Sequence, residues 1–173
     1  MASSQIKYIY KIVPDAYHGT KLEIAKKIIQ ENKFQPSPYS YGDHPYLGKG
    51  VYFFEGALAR AIKWAQDKFK KGEIGIIKAI INLGSCLDLT DPENIKLLKR
   101  LKRTLLKEKA LPSVTNAYAI NACAVIHRVD TVRSPFYKGN WSGSGIPNIE
   151  LIICVRNNKS IMEMSLVYQG VIR

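Results

Sequence analysis

The segment from Gly75 to Leu83, GIIKAIINL, constrains the fold of this chain more than any other. A strand sends successive side chains to opposite faces, so a run that is apolar at both odd and even positions must be covered on both sides. Lys78 is the one charged residue in it. The segment therefore reads as a central strand with packing layers above and below, and Leu87 to Leu89 extends it after a turn. Further strands are expected at residues 6–13, with a second extended piece at 16–18, and at Val51 to Phe54. Asn148 to Val155 and Ser160 to Tyr168 read as a terminal hairpin around Arg156-Asn157-Asn158-Lys159.

Four helices are expected. The first is opened by a capping box, Thr20-x-x-Glu23, buries Leu22, Ala25, Ile28 and Ile29, and ends near Asn32. The second runs from about Ala57 to Phe69. The third runs from Pro92 to about Lys109, with proline at its first position and Ile95, Leu98, Leu101 and Leu105 inward. The fourth covers residues 113–127. Two glycine- and proline-rich stretches, 35–50 and 134–147, read as long loops of the kind that bind ligands. The expected architecture is a single α+β domain over residues 1–173, built on a mixed, largely antiparallel sheet with flanking helices.

Composition narrows the partners. The chain carries 26 Lys and Arg against 14 Asp and Glu, a net charge of +12. That excess favours an anionic partner such as nucleic acid, phosphates or an acidic surface. Cys86, Cys123 and Cys154 are scattered, so neither a disulfide framework nor a zinc knuckle is expected, and the thiols suit a reducing cytoplasm. His18, His44 and His127 lack metal-ligand spacing, and no metal is expected. No apolar stretch approaches the length of a membrane span, and the start of the chain lacks the apolar run of a signal peptide.

Three short motifs can carry chemistry, and each admits two readings. Tyr17-His18-Gly19-Thr20 joins a strand end to a helix start; the glycine lets a ligand approach the backbone, whose N–H and C=O can hold a planar amide, or the segment is a tight turn with a chance histidine. Gly48-Lys49-Gly50-Val51-Tyr52-Phe53 is a glycine pair feeding an aromatic strand, or a hairpin turn with core aromatics. It is not a phosphate-binding loop, because no Gly-Lys-Ser/Thr opens a helix. Glu150 begins a strongly apolar strand, where an inward carboxylate needs a partner or a task and an outward one merely faces solvent.

In order and spacing, the three motifs resemble the ADP-ribosyltransferase superfamily, specifically its diphtheria-toxin-like and poly(ADP-ribose) polymerase-like branch with a His-Tyr-Glu triad. The resemblance spans residues 16–168 and implies a split sheet, NAD as co-substrate and cleavage of the bond between nicotinamide and ribose. It assigns His18, Tyr52 and Glu150 as the catalytic triad. Gly19 and Thr20 follow His18 in the NAD-binding motif, and the Gly19 backbone would hold the carboxamide. Tyr52 would pack on the nicotinamide ring with Trp64 as a second wall, His18 would bond the adenine-side ribose, and Glu150 would hold the other ribose and stabilise positive charge. The Arg-Ser-Glu branch is not matched, because its strand arginine and Ser-Thr-Ser motif are not evident.

The acceptor is expected to be nucleic acid, RNA before DNA. Arginine-modifying members carry Glu two residues before the catalytic Glu, where this chain has Asn148; an amide there resembles members that modify other acceptors, nucleobases included. Tyr137 and Trp141, in the loop before Glu150, can stack on a base. Residues 93–110 hold seven basic and two acidic residues, and Lys96, Lys99, Arg100, Arg103 and Lys107 share one helical face suited to phosphates or simply to water. A free-standing transferase of this size looks like a toxin or a defence or counter-defence effector that transfers one ADP-ribose. An inhibitor or antitoxin protein is the further partner this leaves open. The competing readings are a protein acceptor and a non-catalytic module that binds NAD, ADP-ribose or RNA.

Overall fold

In the computed structural model, which describes residues 8–35, 46–108, 113–140 and 147–172, the GIIKAIINL run lies within the longest strand, β3 (Gly72–Asp88). Antiparallel neighbours flank it: β1 (Tyr8–Lys21) on one side and β6 (Ile161–Ile172) on the other. A second antiparallel unit has β5 (Pro147–Val155) between β2 (Val51–Glu55) and β4 (Thr131–Asn140). Two short junctions join the halves. β1 meets β2 at Ala16↔Glu55 and Tyr17↔Phe54, and Cys86–Asp88 of β3 runs parallel to Thr131–Arg133 of β4. The fold is thus α+β, with a largely antiparallel six-stranded sheet split into two halves.

Both faces of β3 are covered, as its composition requires. Ile77, Ala79, Ile81 and Leu83 pack with Val13, Phe53 and Ile153 in one cluster. Ile74 and Ile76 pack against Ala61 and Ala65 of α2 (Leu58–Phe69) in another. Lys78 pairs with Asp15 at 2.6 Å. Helix α1 (Leu22–Glu31) buries Leu22, Ala25 and Ile28 and stops at Asn32, whose left-handed backbone (φ 50°) returns its N–H to the carbonyls of Ile28 and Ile29. Helices α3 (Pro92–Glu108) and α4 (Asn116–His127) pack together, with Leu105 of α3 and Ala119 of α4 in one buried cluster.

Several sequence expectations are corrected. Thr20 does not cap α1: it is buried in β1 opposite Gly75, and Lys21 precedes the helix with no side-chain cap. The ladder to β3 continues to Lys21↔Ile74 and takes the residues that a local cap would use. The two extended pieces near the start merge into β1, with register shifts between Ile9 and Ile12 and between Val13 and Ala16, where Pro14 supplies no N–H. The expected turn after Leu83 is a bend inside β3 at Gly84 (φ +58°).

Most of the expected 134–147 loop is strand, because β4 continues along β5 as far as Asn140. Past Arg133, β4 has no strand neighbour on the β3 side among the described residues, so the N–H that Pro135 lacks is not needed for a ladder there. The terminal hairpin does not form. β5 lies in one half of the sheet and β6 in the other. Asp130 anchors the crossing: its carbonyl accepts from the N–H groups of Arg156 (2.9 Å) and Asn157 (3.2 Å), and its Oδ1 accepts from Asn157 Nδ2 (2.9 Å).

Candidate functional site

The two half-sheets part at His18. The Gly56 N–H donates to the Asp15 carbonyl at 2.6 Å, which makes Ala16↔Glu55 a non-hydrogen-bonded pair and Tyr17↔Phe54 a hydrogen-bonded one. By alternation the next hydrogen-bonded pair would be Gly19↔Tyr52. The β1–β2 register instead ends at Tyr17↔Phe54, and His18 Nδ1 donates to the Tyr52 carbonyl at 2.8 Å. The imidazole takes the acceptor that the glycine would have used. Gly19 therefore projects its N–H and C=O toward β2 with no strand partner on that side among the described residues.

His18 is half-buried against Phe34 and Phe53, with ring centroids 5.2 and 5.7 Å away. Burial pushes its pKa down to about 4, against a smaller upward effect of the bond to Tyr52. The neutral ring donates from Nδ1, which leaves Nε2 as an acceptor. Gly19 is required by α2 rather than by a ligand: a Cβ there would lie 2.6 Å from the Ala61 carbonyl oxygen and 3.0 Å from the Ala65 Cβ. The consequence for a ligand is indirect, in that the close-packed helix fixes the open backbone edge.

Tyr52 holds a loop together. Its hydroxyl donates to the Gly48 carbonyl (2.7 Å) and accepts from the Leu47 N–H (2.9 Å), and its ring packs against the cluster of Leu47, Leu87, Ile120 and Cys123. Asn121 Oδ1 accepts from the Lys49 N–H (2.9 Å), and Arg156 Nη1 donates to both Asn121 Oδ1 and the Lys49 carbonyl (2.8 Å each). Gly48 has φ +80°, and a Cβ on it would meet Asn121 Oδ1 at 2.5 Å, so glycine is obligatory here. Sequence reasoning missed Asn121 and Arg156, since neither has a local pattern that announces a partner so far along the chain.

Glu150 is buried, which settles its two readings in favour of the inward one. It shares a sheet face with Ile152, Cys154, Tyr52 and Phe54, as strand alternation and the pairs Tyr52↔Cys154 and Phe54↔Ile152 require. The three residues of the expected triad do not converge as side chains. His18 shares the opposite face with Ala16 and Phe53, and Glu150 lies four positions from Cys154 along β5, about 13 Å from the level of Tyr52. Arg60, in the first turn of α2, forms an ion pair with Glu150 through Nε and Oε1. The contact lacks the geometry of a directed hydrogen bond: Arg60 Nε and both carboxylate oxygens, Oε1 and Oε2, are buried with no hydrogen-bond partner. Sequence reading also missed Arg60, although its i, i+4 spacing to Trp64 places both on one flank of α2. Trp64 is 36% exposed and carries Lys68 Nζ 4.6 Å from its ring centroid.

Among the acceptor candidates, Asn148 is half-buried two residues before Glu150. Tyr137 pairs with Ile149 on the sheet face away from Glu150, and the two are 60% and 58% exposed. Trp141 lies outside the described residues, as does most of the 35–50 loop. Lys96, Lys99, Arg100, Arg103 and Lys107 are all exposed on α3, with Lys96 paired to Glu93 at 2.7 Å. Burial pushes the thiols of Cys86 and Cys123 up to about 11 and that of Cys154 up to about 12, so none is a ready nucleophile. No helix among the described residues is long and apolar enough to cross a membrane.

No family model matches the chain. Over 89 residues it is 38% identical to the uncharacterized protein MJ0359 of Methanocaldococcus jannaschii, in an alignment covering 47% of this chain and 39% of that one. The chain thus spans about two-fifths of that relative's length. Among solved structures, a chain of the M. tuberculosis MbcT–MbcA toxin–antitoxin complex matches 95% of this chain and 86% of its own, with a TM-score of 0.49 and 14% identity.

Proposed function

We propose that this chain is an NAD-dependent mono-ADP-ribosyltransferase whose acceptor is nucleic acid, RNA before DNA, and that it serves as a toxin or a defence or counter-defence effector. The observation that carries the reading is the buried Glu150 carboxylate, of which neither oxygen has a hydrogen-bond partner and only Oε1 meets Arg60. A buried charged oxygen without a donor is costly, and a substrate hydroxyl would satisfy it. The open N–H and C=O of Gly19 add support, since together they offer the acceptor and donor that a carboxamide needs.

In this reading the Gly19 edge holds the nicotinamide carboxamide and His18 keeps that edge open. His18 also offers Nε2 to a ribose hydroxyl, and Trp64 stands beside the site as an aromatic wall. Glu150 accepts from the ribose hydroxyl and faces the positive charge that develops as the glycosidic bond breaks. The electron pair of that bond goes to the pyridinium nitrogen, which leaves as neutral nicotinamide. The acceptor nucleophile bonds to the same ribose carbon and its proton passes to solvent. Asn148 beside Glu150, and the basic face of α3, favour an acceptor with bases and phosphates.

The test is incubation with NAD labelled in its adenylate half and total RNA, DNA or cell protein, followed by nuclease or protease. Nuclease-sensitive label and nicotinamide release are expected, and Glu150→Gln should lower transfer about 100- to 1,000-fold while leaving NAD binding largely intact. Full activity in a folded Glu150→Gln protein overturns the assignment. Label that only protease removes moves the acceptor to protein, and NAD binding without nicotinamide release makes the chain a binding module.

A further inference from the structure

Arg60 and Glu150 come from different layers of the fold, yet they form an ion pair in which the carboxylate side chain is 6% exposed and the guanidinium side chain 27%. We propose that Arg60 is a positioning residue: it pins Glu150 Oε1 and so leaves Oε2 as the single oxygen that meets a substrate hydroxyl. The proposal rests on the reading of Glu150 given above. The terminal torsion of a glutamate is broad and roughly two-fold, so an unheld carboxylate exchanges its oxygens freely. An arginine ion-paired to one oxygen removes that freedom; neither oxygen receives a directed hydrogen bond, and Oε2 is the one that lacks the arginine as well.

Arg60 is itself held. The next residue in α2, Ala61, is fully buried, and its carbonyl oxygen lies 2.6 Å from where a Cβ on Gly19 would stand. The helix therefore cannot shift relative to β1 without losing that contact. One rigid element thus registers two parts of the site: the open backbone edge at Gly19 and the carboxylate of Glu150. Neither Lys63 nor Lys68 substitutes for Arg60, since Lys63 is engaged by Asp67 at 2.9 Å and Lys68 lies over the Trp64 and Phe69 rings.

The experiment measures steady-state nicotinamide release for wild type, Arg60→Gln, Arg60→Lys, Glu150→Gln and the Arg60→Gln/Glu150→Gln double variant, with a melting curve for each. Arg60→Gln is expected to lower kcat about 10- to 100-fold, as loss of an outer-shell support typically does, with little change in KM for NAD. Arg60→Lys should recover part of the loss, because an ammonium can hold one oxygen without the planar fork. Arg60→Gln should cost nothing further in the Glu150→Gln background, where no carboxylate remains to be placed. A wild-type kcat in Arg60→Gln, with or without a lower melting temperature, overturns the proposal and leaves the pair a structural tie. Equal losses in the two backgrounds overturn it too. Should Arg60→Gln fail to fold, an undiminished kcat in Arg60→Lys does the same. A distinct result, a fully active Glu150→Gln protein or a wild type that releases no nicotinamide, overturns the reading of Glu150 itself and this role with it.

Discussion

Among the described residues, two arginine–carboxylate sites are built in opposite ways. Arg133 of β4 engages a carboxylate with each of its three nitrogens. Its Nε and Nη2 reach the two oxygens of Glu55 at 2.6 and 2.9 Å, and its Nη1 reaches Asp88 Oδ2 at 3.1 Å. Asp88 Oδ1 in turn accepts from the Thr90 N–H and hydroxyl at 2.9 and 2.7 Å. Arg60 and Glu150 form the other site, where one ion-pair contact is made and neither buried carboxylate oxygen gains a hydrogen bond. The first network ties β2, β3 and β4 near the parallel junction, and every strong acceptor in it is used. The second leaves an acceptor idle in a place where idleness is expensive. Burial alone therefore does not separate a clasp from a site; what separates them is whether the hydrogen-bonding capacity is spent within the protein.

The largest expected effect tests the clasp. Arg133→Gln should cost about 3–5 kcal/mol of stability, because it leaves the buried Asp88 and the half-buried Glu55 without their cation. Activity per folded molecule should be kept. Denaturant melts beside nicotinamide release measure both. A loss of turnover without a loss of stability would erase the distinction between the two sites. The mirror case is Glu150→Gln, which should change stability by no more than about 1 kcal/mol while removing transfer.

His18 gives the next effect. Its folded pKa is about 4 and its ordinary value is 6.5. Between those values the unfolded chain holds more protons than the folded one, so stability falls as pH falls from about 6.5 toward 4, by at most about 3 kcal/mol. Above about pH 6.5 this contribution is fully present. Urea melts at pH 7 and pH 5 measure it, and His18→Gln, which keeps a donor but not a titrating ring, should lose most of the difference. An equal pH dependence in that variant would mean that other groups carry it.

The smallest effect is expected on α3, whose basic face belongs to neither kind of site. Changing Lys99, Arg100 and Arg103 together to Gln should alter stability by no more than about 0.5 kcal/mol, because the side chains are exposed. RNA binding should weaken, and its log–log salt slope should flatten by up to about 0.7 for each lost phosphate contact. Nicotinamide release without acceptor should persist. RNA modification equal to wild type at every salt concentration would reduce the face to a solvated surface and make a protein acceptor about as well supported.

What the sequence determined by itself is local. The both-face apolar run fixed β3 as a central strand, and apolar spacing placed α2 and α3 within a residue or so of their observed bounds. Asn32 marked the end of α1, since its left-handed conformation is a property of one residue and its neighbours. His18, Gly19, Tyr52 and Glu150 were visible as residue types in order. Their surroundings were not. That Thr20 stays in a strand, that Ser134–Asn140 is strand rather than loop, and that β5 and β6 part company all depend on which distant strand offers a partner. Arg60 entered the site only because α2 packs on Gly19 and delivers its first turn to β5. Whether a given N–H, C=O or carboxylate oxygen is satisfied is a sum over neighbours from the whole chain. The open edge at Gly19 and the unsatisfied oxygens of Glu150 could therefore be decided only when the tertiary structure had brought those neighbours together.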